Sequence, residues 1–293
     1  MTILVTGATG FIGRAVMRTL RDRGLDHVAF EGDVRNRADF LAAPACDALI
    51  HLAGLTRTDG SYEAQRRLMD INVTGTLHAL DHARRHGAHF VFAGSCNYGR
   101  ARVIPTPETE PITAGNPYAL SKSVCEQAIA AWNRHFGLAS ATVLRIFNPY
   151  GPGQQQGFLV ADMVEKIRSG AVSVYSRAAV RDFIFVDDLA ELAVGAALRP
   201  GPGVAVVNAG TGQGHSVGEV VETMLDLLGL DLPVHDQGRP EVIPASIADV
   251  RTAEALFGWR AQTGLRPGLA RVLEDAGLLQ GRPAAGAAPG RQP

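Results

Sequence analysis

Residues 3–13 decide the fold, and they read Ile-Leu-Val-Thr-Gly-Ala-Thr-Gly-Phe-Ile-Gly. A short apolar strand leads into three glycines spaced three apart, and an amphipathic helix follows. Glycine permits a tight turn, a close approach of phosphate to the backbone, and close packing of the helix on the strand. Because the helix start also offers free N–H groups, the stretch predicts a bound dinucleotide pyrophosphate. The residues predicted to hold it are Gly7, Gly10, Phe11, Ile12 and Gly13.

The rest of the chain repeats a strand-helix rhythm. We predict further strands at residues 48–53, 89–93 and 141–147, and helices at 13–23, 62–85 and 118–136, each helix ending at a glycine. Fully apolar strands suit a parallel sheet covered by helices on both faces. The sequence therefore predicts an α/β fold with a doubly wound parallel Rossmann sheet.

A change of rhythm predicts a second unit. After Gly151 the elements become shorter and are interrupted by Gly and Pro, which suggests a smaller, mostly helical C-terminal substrate lobe over residues 151–280. The first domain spans residues 1–150, and strands at about 182–186 and 204–208 are expected to return to its sheet. Residues 281–293 contain few large apolar groups and are predicted to form a flexible tail.

Composition excludes several classes of protein. The 293 residues carry 28 Lys and Arg against 29 Asp and Glu, so the net charge of −1 offers no field for nucleic acid or an anionic membrane. The three cysteines lack metal-ligand spacing, which argues against a disulfide framework and a metal site. No apolar stretch approaches the roughly 18 residues of a membrane span. We expect a cytoplasmic protein without a signal peptide.

The adenosine end of the cofactor site is predicted around residue 31. Glu31 follows an apolar run and lies 24 residues past Gly7, near the separation expected for a carboxylate that bonds the ribose, which favours NAD. Asp33 and Val34 come at once, so the second and third strands are abbreviated or merged, and Asp33 could face the adenine. Three arginines, Arg14, Arg35 and Arg37, could neutralise a 2′-phosphate, so NADP stays possible.

A tyrosine and a lysine four residues apart supply candidate chemistry. Pro117 suits a helix start, and Tyr118 and Lys122 then share one helix face. A phenol with a pKa of about 10 is a poor base at neutral pH. An ammonium and an oxidised nicotinamide beside it would favour the phenolate. We therefore expect Lys122 to lower the pKa of Tyr118.

The glycine loop and the Tyr-Lys pair together resemble the short-chain dehydrogenase/reductase superfamily. Over roughly residues 1–275 the chain is similar to its extended branch, the NAD-dependent epimerase/dehydratase family, whose members act on nucleotide sugars. The resemblance implies that Tyr118 is the general acid/base and that Lys122 also bonds the nicotinamide ribose. It places Leu52 and Ala53 beside the cofactor.

The same resemblance points to a catalytic serine after the family's fifth strand, which corresponds here to the strand predicted at residues 89–93. The segment Ala93-Gly94-Ser95-Cys96-Asn97-Tyr98-Gly99 is one residue shorter than the family's serine-rich run. Ser95 is the candidate, although an alignment without a gap puts Gly94 in the catalytic position, and Cys96 is a weaker choice. The related 4,6-dehydratases carry an acid after this serine, and the absence of one disfavours that reaction.

Three residues resemble the family's contacts to the sugar diphosphate. They are Asn148 in Arg145-Ile146-Phe147-Asn148-Pro149-Tyr150-Gly151, Arg181 in Arg181-Asp182-Phe183, and, less securely, Arg239. A guanidinium fork suits paired phosphate oxygens. The family's glycine-rich turn before the arginine is replaced by residues 175–180, so the nucleotide base stays open.

The function implied is an NAD(P)-dependent oxidoreductase of a nucleotide-diphosphate sugar. A 4-epimerase acting through a 4-keto intermediate is the first hypothesis, and an NAD(P)H-dependent 4-ketoreductase of a 4-keto-6-deoxy sugar is the alternative. A 4,6-dehydratase and a dinucleotide-sensing regulator without catalysis are less favoured. The helices at 62–85 and 118–136 resemble the pair that forms the family's dimer interface, which implies a homodimer.

Overall fold

A computed structural model describes residues 1–279, and the predicted tail at 281–293 lies outside the described residues. The strands are β1 Ile3–Thr6, β2 His27–Ala29, β3 Ala48–His51, β4 His89–Ala93, β5 Ser140–Ile146, β6 Pro149–Tyr150, β7 Val172–Val174, β8 Val180–Arg181, β9 Ile184–Phe185, β10 Gly203–Ala209, β11 His215–Ser216, β12 Val234–Asp236 and β13 Ala245–Ser246. The α-helices are α1 Phe11–Asp22, α2 Arg37–Ala42, α3 Tyr62–Met69, α4 Gly75–His86, α5 Pro117–His135, α6 Leu159–Arg168, α7 Val186–Leu198, α8 Val217–Leu228, α9 Arg251–Phe257 and α10 Leu265–Asp275, and a π segment at Asp70–Thr74 joins α3 to α4.

Six parallel strands form the central sheet, in the order β2-β1-β3-β4-β5-β10. Residues of β1 alternate between two cores: Ile3 and Val5 pack with α1 and α7, whereas Leu4 packs with α4 and α5. The strands β1, β3, β4 and β5 are buried along their whole length. Burial on both faces requires helices on both sides. The predicted doubly wound α/β fold is confirmed.

The edge of the sheet next to β1 holds one short strand. β2 spans three half-buried residues and pairs with β1 alone among the strands of the described chain. Directly after it, the Asp39 carboxylate accepts the N–H of Asp33 at 2.7 Å, which turns the backbone toward α2. The second and third predicted strands are therefore merged into one.

The C-terminal half builds a second core and also returns to the first. Helices α6, α8 and α10 pack with β7 around Tyr150, and three small sheets accompany them. The predicted strand at 204–208 joins the central sheet as β10, and α7 packs on that sheet as well.

The prediction that residues 182–186 also join the central sheet is wrong. Asp182 is fully buried, and its carboxylate accepts hydrogen bonds from Thr211, Gly212 and Ala248. These bonds hold the chain in a turn. The two residues of β9 that follow pair with β6 before α7 begins.

The strand order reverses at β1, and this reversal positions the site. β2 lies on one side of β1 and β3 on the other, so a crevice opens at the carboxyl ends of β1 and β3. Ligands of open α/β sheets bind at such a reversal. Within residues 1–279, none of the helices has the length and apolar character needed to cross a membrane.

Candidate active site

The glycine loop lies at the mouth of this crevice. Gly7 has a φ of +68°, and a Cβ there would come within 2.7 Å of the Ala53 nitrogen. A Cβ at Gly13 would lie 2.0 Å from the Gly7 carbonyl oxygen, so a side chain would separate α1 from the loop. The N-cap of α1 is Gly10, which has no side chain to occupy the first-turn N–H groups at Phe11 and Ile12. These features fit a dinucleotide pyrophosphate.

A buried hydrogen-bond network holds the wall of the crevice opposite the glycine loop. This wall starts at Leu52 and Ala53, directly after β3. The Asn72 side chain in the π segment accepts the N–H of Leu55 at 2.7 Å and donates to the Ser121 hydroxyl at 2.9 Å. His51 contacts the hydroxyl of Thr6 at 2.7 Å. Burial lowers the pKa of His51 to about 3, so its ring is neutral. The network joins β1, β3 and α5 behind the crevice.

Two carboxylates lie where the sequence predicted the adenosine end of the cofactor site. Glu31 is exposed immediately after β2. The Asp33 carboxylate binds Arg35 Nε at 3.1 Å, and hydrogen bonds from Arg35 hold its pKa at about 2. Val34 is buried, and Gly75 accommodates it because a Cβ there would lie 2.8 Å from Val34 Cγ2. A cavity of about 500 Å³ lies beside this end, lined by Arg35, Glu63, Arg66, Arg67 and Asp70.

Helix α5 presents Tyr118 at its first turn. The Asn116 side chain caps the helix by accepting the N–H of Ala119 at 2.8 Å, and Pro117 occupies the first helical position. A recess of about 200 Å³ opens beside Tyr118, lined also by Thr56, Thr58, Gln65, Leu68, Asn116 and Pro117. Burial raises the pKa of Tyr118 to about 12, and the nearby Ser95 side chain acts in the opposite direction.

Ser95 lies close enough to Tyr118 to act on its pKa. The Ser95 hydroxyl donates to Asn97 Oδ1 at 3.2 Å. Gly94 has no side chain to offer, and burial raises the pKa of the Cys96 thiol to about 11. Of the three candidates, Ser95 therefore stays the predicted catalytic residue.

Lys122 lies one helical turn below Tyr118 and is 5% exposed. Its Nζ donates to the Ala93 carbonyl at 2.7 Å and lies 4.8 Å from the centre of the Phe92 ring. Burial lowers the pKa of Lys122 to about 8. An ammonium has three donors, and among the described residues Ala93 takes one of them.

One electrostatic expectation is wrong for the protein by itself. The sequence led us to expect that Lys122 lowers the pKa of Tyr118, yet burial raises it, and Ser95 is the group that opposes burial. The reason is that the ammonium is itself desolvated and directed at Ala93. A phenolate at Tyr118 needs a further positive charge.

The predicted diphosphate residues lie on the opposite side of the cleft. Asn148 Nδ2 donates to the Asp182 carbonyl at 2.9 Å, directly after Arg181. Arg181 Nη2 pairs with the Glu241 carboxylate at 3.1 Å. Arg239 is exposed, and its guanidinium stacks 4.5 Å from the centre of the Tyr175 ring. Arg181 thus reaches the loop at residues 237–244, which carries Arg239.

Cys96 connects the two sides. It packs against the cluster of Tyr98, Phe147 and Ala248, and the Ala248 N–H donates to the Asp182 carboxylate at 3.1 Å. The serine segment is therefore linked through Ala248 to Asp182, the neighbour of Arg181.

The sequence did not predict two ion pairs near the site, Arg181 with Glu241 and Arg145 with Glu126. Local spacing does not indicate which distant charges pair.

Comparison with known proteins gives one consistent result. The model of the NAD dependent epimerase/dehydratase family matches residues 3–210, more than two thirds of the chain. A UDP-glucose 4-epimerase of Rhizobium leguminosarum bv. trifolii is 30% identical over 315 residues, which cover 90% of this chain and 94% of that protein.

Solved structures agree with this match. The UDP-glucose 4-epimerase of Thermotoga maritima with UDP-glucose superposes with a TM-score of 0.85 at 28% identity, covering 94% of this chain and 98% of that one. The UDP-glucose 4-epimerase of Thermus thermophilus, in complex with NAD, gives a TM-score of 0.81 at 26% identity, covering 94% and 99%.

The likeness extends over both halves of the molecule, and it includes the crevice as well as the substrate side. The predictions of an enzyme of the short-chain dehydrogenase type and of an NAD cofactor are confirmed by it. This chain belongs to the NAD-dependent epimerase/dehydratase family.

Proposed function

We propose that this protein is a nucleotide-sugar 4-epimerase that interconverts UDP-glucose and UDP-galactose with NAD. The observation that carries the proposal is the packing of residues 93–97, which include Ser95, against the first turns of α5 beside the glycine-loop crevice. Lys122 donates to the Ala93 carbonyl at 2.7 Å, and Asn97 Nδ2 donates to the Ala119 carbonyl at 3.4 Å. The relatives named above as UDP-glucose 4-epimerases support the choice of reaction and of nucleotide.

The residues divide the chemistry at the sugar C4 hydroxyl. Tyr118 takes the hydroxyl proton and later returns it, while Ser95 holds the same oxygen by a hydrogen bond. When bound, oxidised nicotinamide supplies a hydride acceptor and the positive charge that favours the Tyr118 phenolate. Lys122 would hold the nicotinamide ribose with the donors that Ala93 leaves free. The sugar turns over as a 4-keto compound and regains its hydride on the opposite face.

Turnover of the sugar requires an anchor elsewhere on the substrate. Asn148, Arg181 and Arg239 can hold the diphosphate while the hexose rotates. Because Glu241 pairs with Arg181, the diphosphate has to displace this carboxylate when it binds. The carboxylates of Glu31 and Asp33 disfavour a 2′-phosphate, which supports NAD rather than NADP.

The experiment is a panel of UDP-, dTDP- and GDP-sugars, including 4-keto-6-deoxy sugars, with products resolved by NMR and NADH absorbance followed. We expect UDP-glucose to yield UDP-galactose without net consumption of cofactor. Tyr118→Phe should slow this conversion by about 10²- to 10⁴-fold, whereas Tyr62→Phe, at a tyrosine that is 78% exposed, should not.

Two outcomes would replace the proposal. Stoichiometric oxidation of NAD(P)H with a 4-keto-6-deoxy sugar would identify a ketoreductase. A protein that binds NAD but converts no sugar, and behaves identically as Tyr118→Phe, would be a regulator.

We also propose a cytoplasmic homodimer. Large apolar side chains are exposed on the two helices that the resemblance assigns to the interface: Tyr62 on α3, and Leu120 on α5. Light scattering should give twice the 31.0 kDa mass of the chain, and a monomeric mass would contradict the proposal.

A further inference from the structure

A buried ion pair lies directly behind the catalytic residues. The Arg145 guanidinium on β5 donates to the Glu126 carboxylate on α5 from Nε at 3.1 Å and from Nη2 at 2.9 Å. The two side chains are 10% and 9% exposed. In every other ion pair that the described residues form, at least one partner is 25% exposed or more.

Stability does not account for such a pair. Removing each ion from water costs several kcal/mol, and apolar residues of similar volume often give an equally stable protein. The reason for these two charges must therefore be sought in the groups they contact.

The carboxylate contacts the turn that carries the catalytic serine. Glu126 is four residues after Lys122 on α5, and its Oε1 lies 3.2 Å from the position that a Cβ on Gly94 would take. Gly94 stands between Ala93, whose carbonyl accepts the Lys122 ammonium, and Ser95. The Glu126 carboxylate therefore packs against Gly94. Gly94 links Ala93, which accepts the hydrogen bond from Lys122, to Ser95.

The guanidinium contacts the other end of the same segment. Arg145 Nη1 donates to the Tyr98 hydroxyl at 3.1 Å and to the Glu108 carbonyl at 2.8 Å. Tyr98 is 3% exposed, and its hydroxyl donates in turn to Asn208 Oδ1 at 2.5 Å. One ion pair therefore brackets residues 94–98 at both ends.

We propose that Glu126 and Arg145 are positioning residues that clamp residues 94–98 against α5 and keep the ammonium of Lys122 charged. The clamp serves Ser95 and Lys122 in the roles of the proposed function, on which this inference rests. The charge effect is a property of the folded protein and can be measured without substrate.

Among the described residues, Glu126 is the one carboxylate that acts on the Lys122 ammonium. The ionisable groups around it are Tyr118, Cys125 and Glu126 on its own helix and His51 on β3. Burial keeps the Tyr118 phenol, the Cys125 thiol and the His51 ring neutral, since it raises the pKa values of the first two and lowers that of the ring. Burial lowers the pKa of Lys122 to about 8, and Cys125 and Glu126 act against burial. Because the Cys125 thiol is neutral, the charge that acts on the ammonium is the Glu126 carboxylate.

The sequence makes the test direct, because it contains two lysines, Lys122 and Lys166. Lysine labelled with ¹³C at Cε gives two NMR signals, which Lys166→Arg assigns. We expect Glu126→Gln to lower the titration midpoint of Lys122 by about one pH unit, a change of about 1.4 kcal/mol. The matched control is Glu254→Gln, which removes the carboxylate of the exposed pair with Arg260 and should leave the midpoint unchanged.

A second variant covers a failure of Glu126→Gln to fold. The double variant Glu126→Gln/Arg145→Gln leaves no unpaired buried charge. It should lower the midpoint by less than Glu126→Gln does, because it also removes the positive charge of Arg145. A Lys122 midpoint that equals the wild-type value in the folded variants would overturn the inference.

The clamp has its own readout. Glu126→Asp keeps the charge but shortens the side chain, so we expect a near wild-type midpoint together with a kcat about tenfold lower and an unchanged KM. An unchanged kcat would refute the clamp. If the wild-type protein converts no sugar, the proposed function fails while the titration still tests the charge effect.

Discussion

At the scale of single residues, Lys122 carries a cost in stability that its function requires. Its folded-state pKa of about 8 lies below the ordinary value of 10.5 because burial disfavours the charge. The unfolded chain therefore binds more protons between these two pH values, and wild-type stability rises with pH across that interval. Below pH 8 the full cost of the buried charge is present.

This cost makes Lys122→Met a stabilising change. We expect the variant to gain roughly 1–3 kcal/mol in free energy of unfolding at pH 7, and to lose cofactor affinity. The gain should shrink as pH rises through 8 and beyond. Denaturant melts at pH 7 and pH 10 measure it, and a gain that stays the same at both values would contradict the assignment.

A second residue-scale prediction concerns Glu241, which pairs with Arg181 on the substrate side. Glu241→Gln removes a charge that the substrate diphosphate has to displace, so KM for the UDP-sugar should fall about threefold, and kcat should stay the same. Half-buried pairs of this kind are worth about 1 kcal/mol or less. A higher KM would instead mean that the carboxylate orients Arg181 for binding.

At the scale of elements, the glycine loop offers the sharpest test of the crevice. A Cβ at Gly13 would lie 2.0 Å from the Gly7 carbonyl oxygen, so Gly13→Ala must push α1 away from the loop. We expect NAD affinity to fall at least tenfold, measured by calorimetry. Gly195→Ala is the control, because a Cβ there meets nothing within 4 Å and Gly195 lies inside α7. Equal affinities in the two variants would show that the loop does not hold the cofactor.

The local sequence pattern predicted those strands and helices whose signals lie within the element itself or in the residues next to it. The strand Ile3–Thr6, the glycine turn and the helix start at Pro117 all follow from neighbouring residues. Residues 182–186 could not be predicted this way. Their path depends on the buried Asp182 carboxylate, whose partners Thr211, Gly212 and Ala248 are far along the chain.

At the scale of the whole molecule, the sequence likewise predicted what depends on neighbouring residues and did not predict what depends on contacts between distant ones. Tyr118 and Lys122 are one helical turn apart, so spacing alone placed them together. The pairing of Arg145 with Glu126 crosses from β5 to α5, and no local period encodes it. The shift of the Tyr118 pKa was likewise misjudged, because burial is a property of the folded chain.

The two halves of the molecule meet around the cleft. Arg14 on α1 donates to the Thr9 carbonyl in the glycine loop and, at 3.0 Å, to the Gly153 carbonyl at the start of the substrate side. Arg14 therefore joins the glycine loop to the start of the C-terminal half. In the proposed function, the sugar would lie between Tyr118 and Arg181.

The central claim is that hydride leaves the sugar and returns to it inside this cleft while Tyr118 moves the proton. UDP-glucose deuterated at C4 tests it directly, with the product analysed by NMR and mass spectrometry in ordinary water. The account predicts UDP-galactose that retains the deuterium at C4, with no added cofactor consumed. Product that has lost the deuterium to solvent, or no conversion by protein that binds NAD, would contradict it.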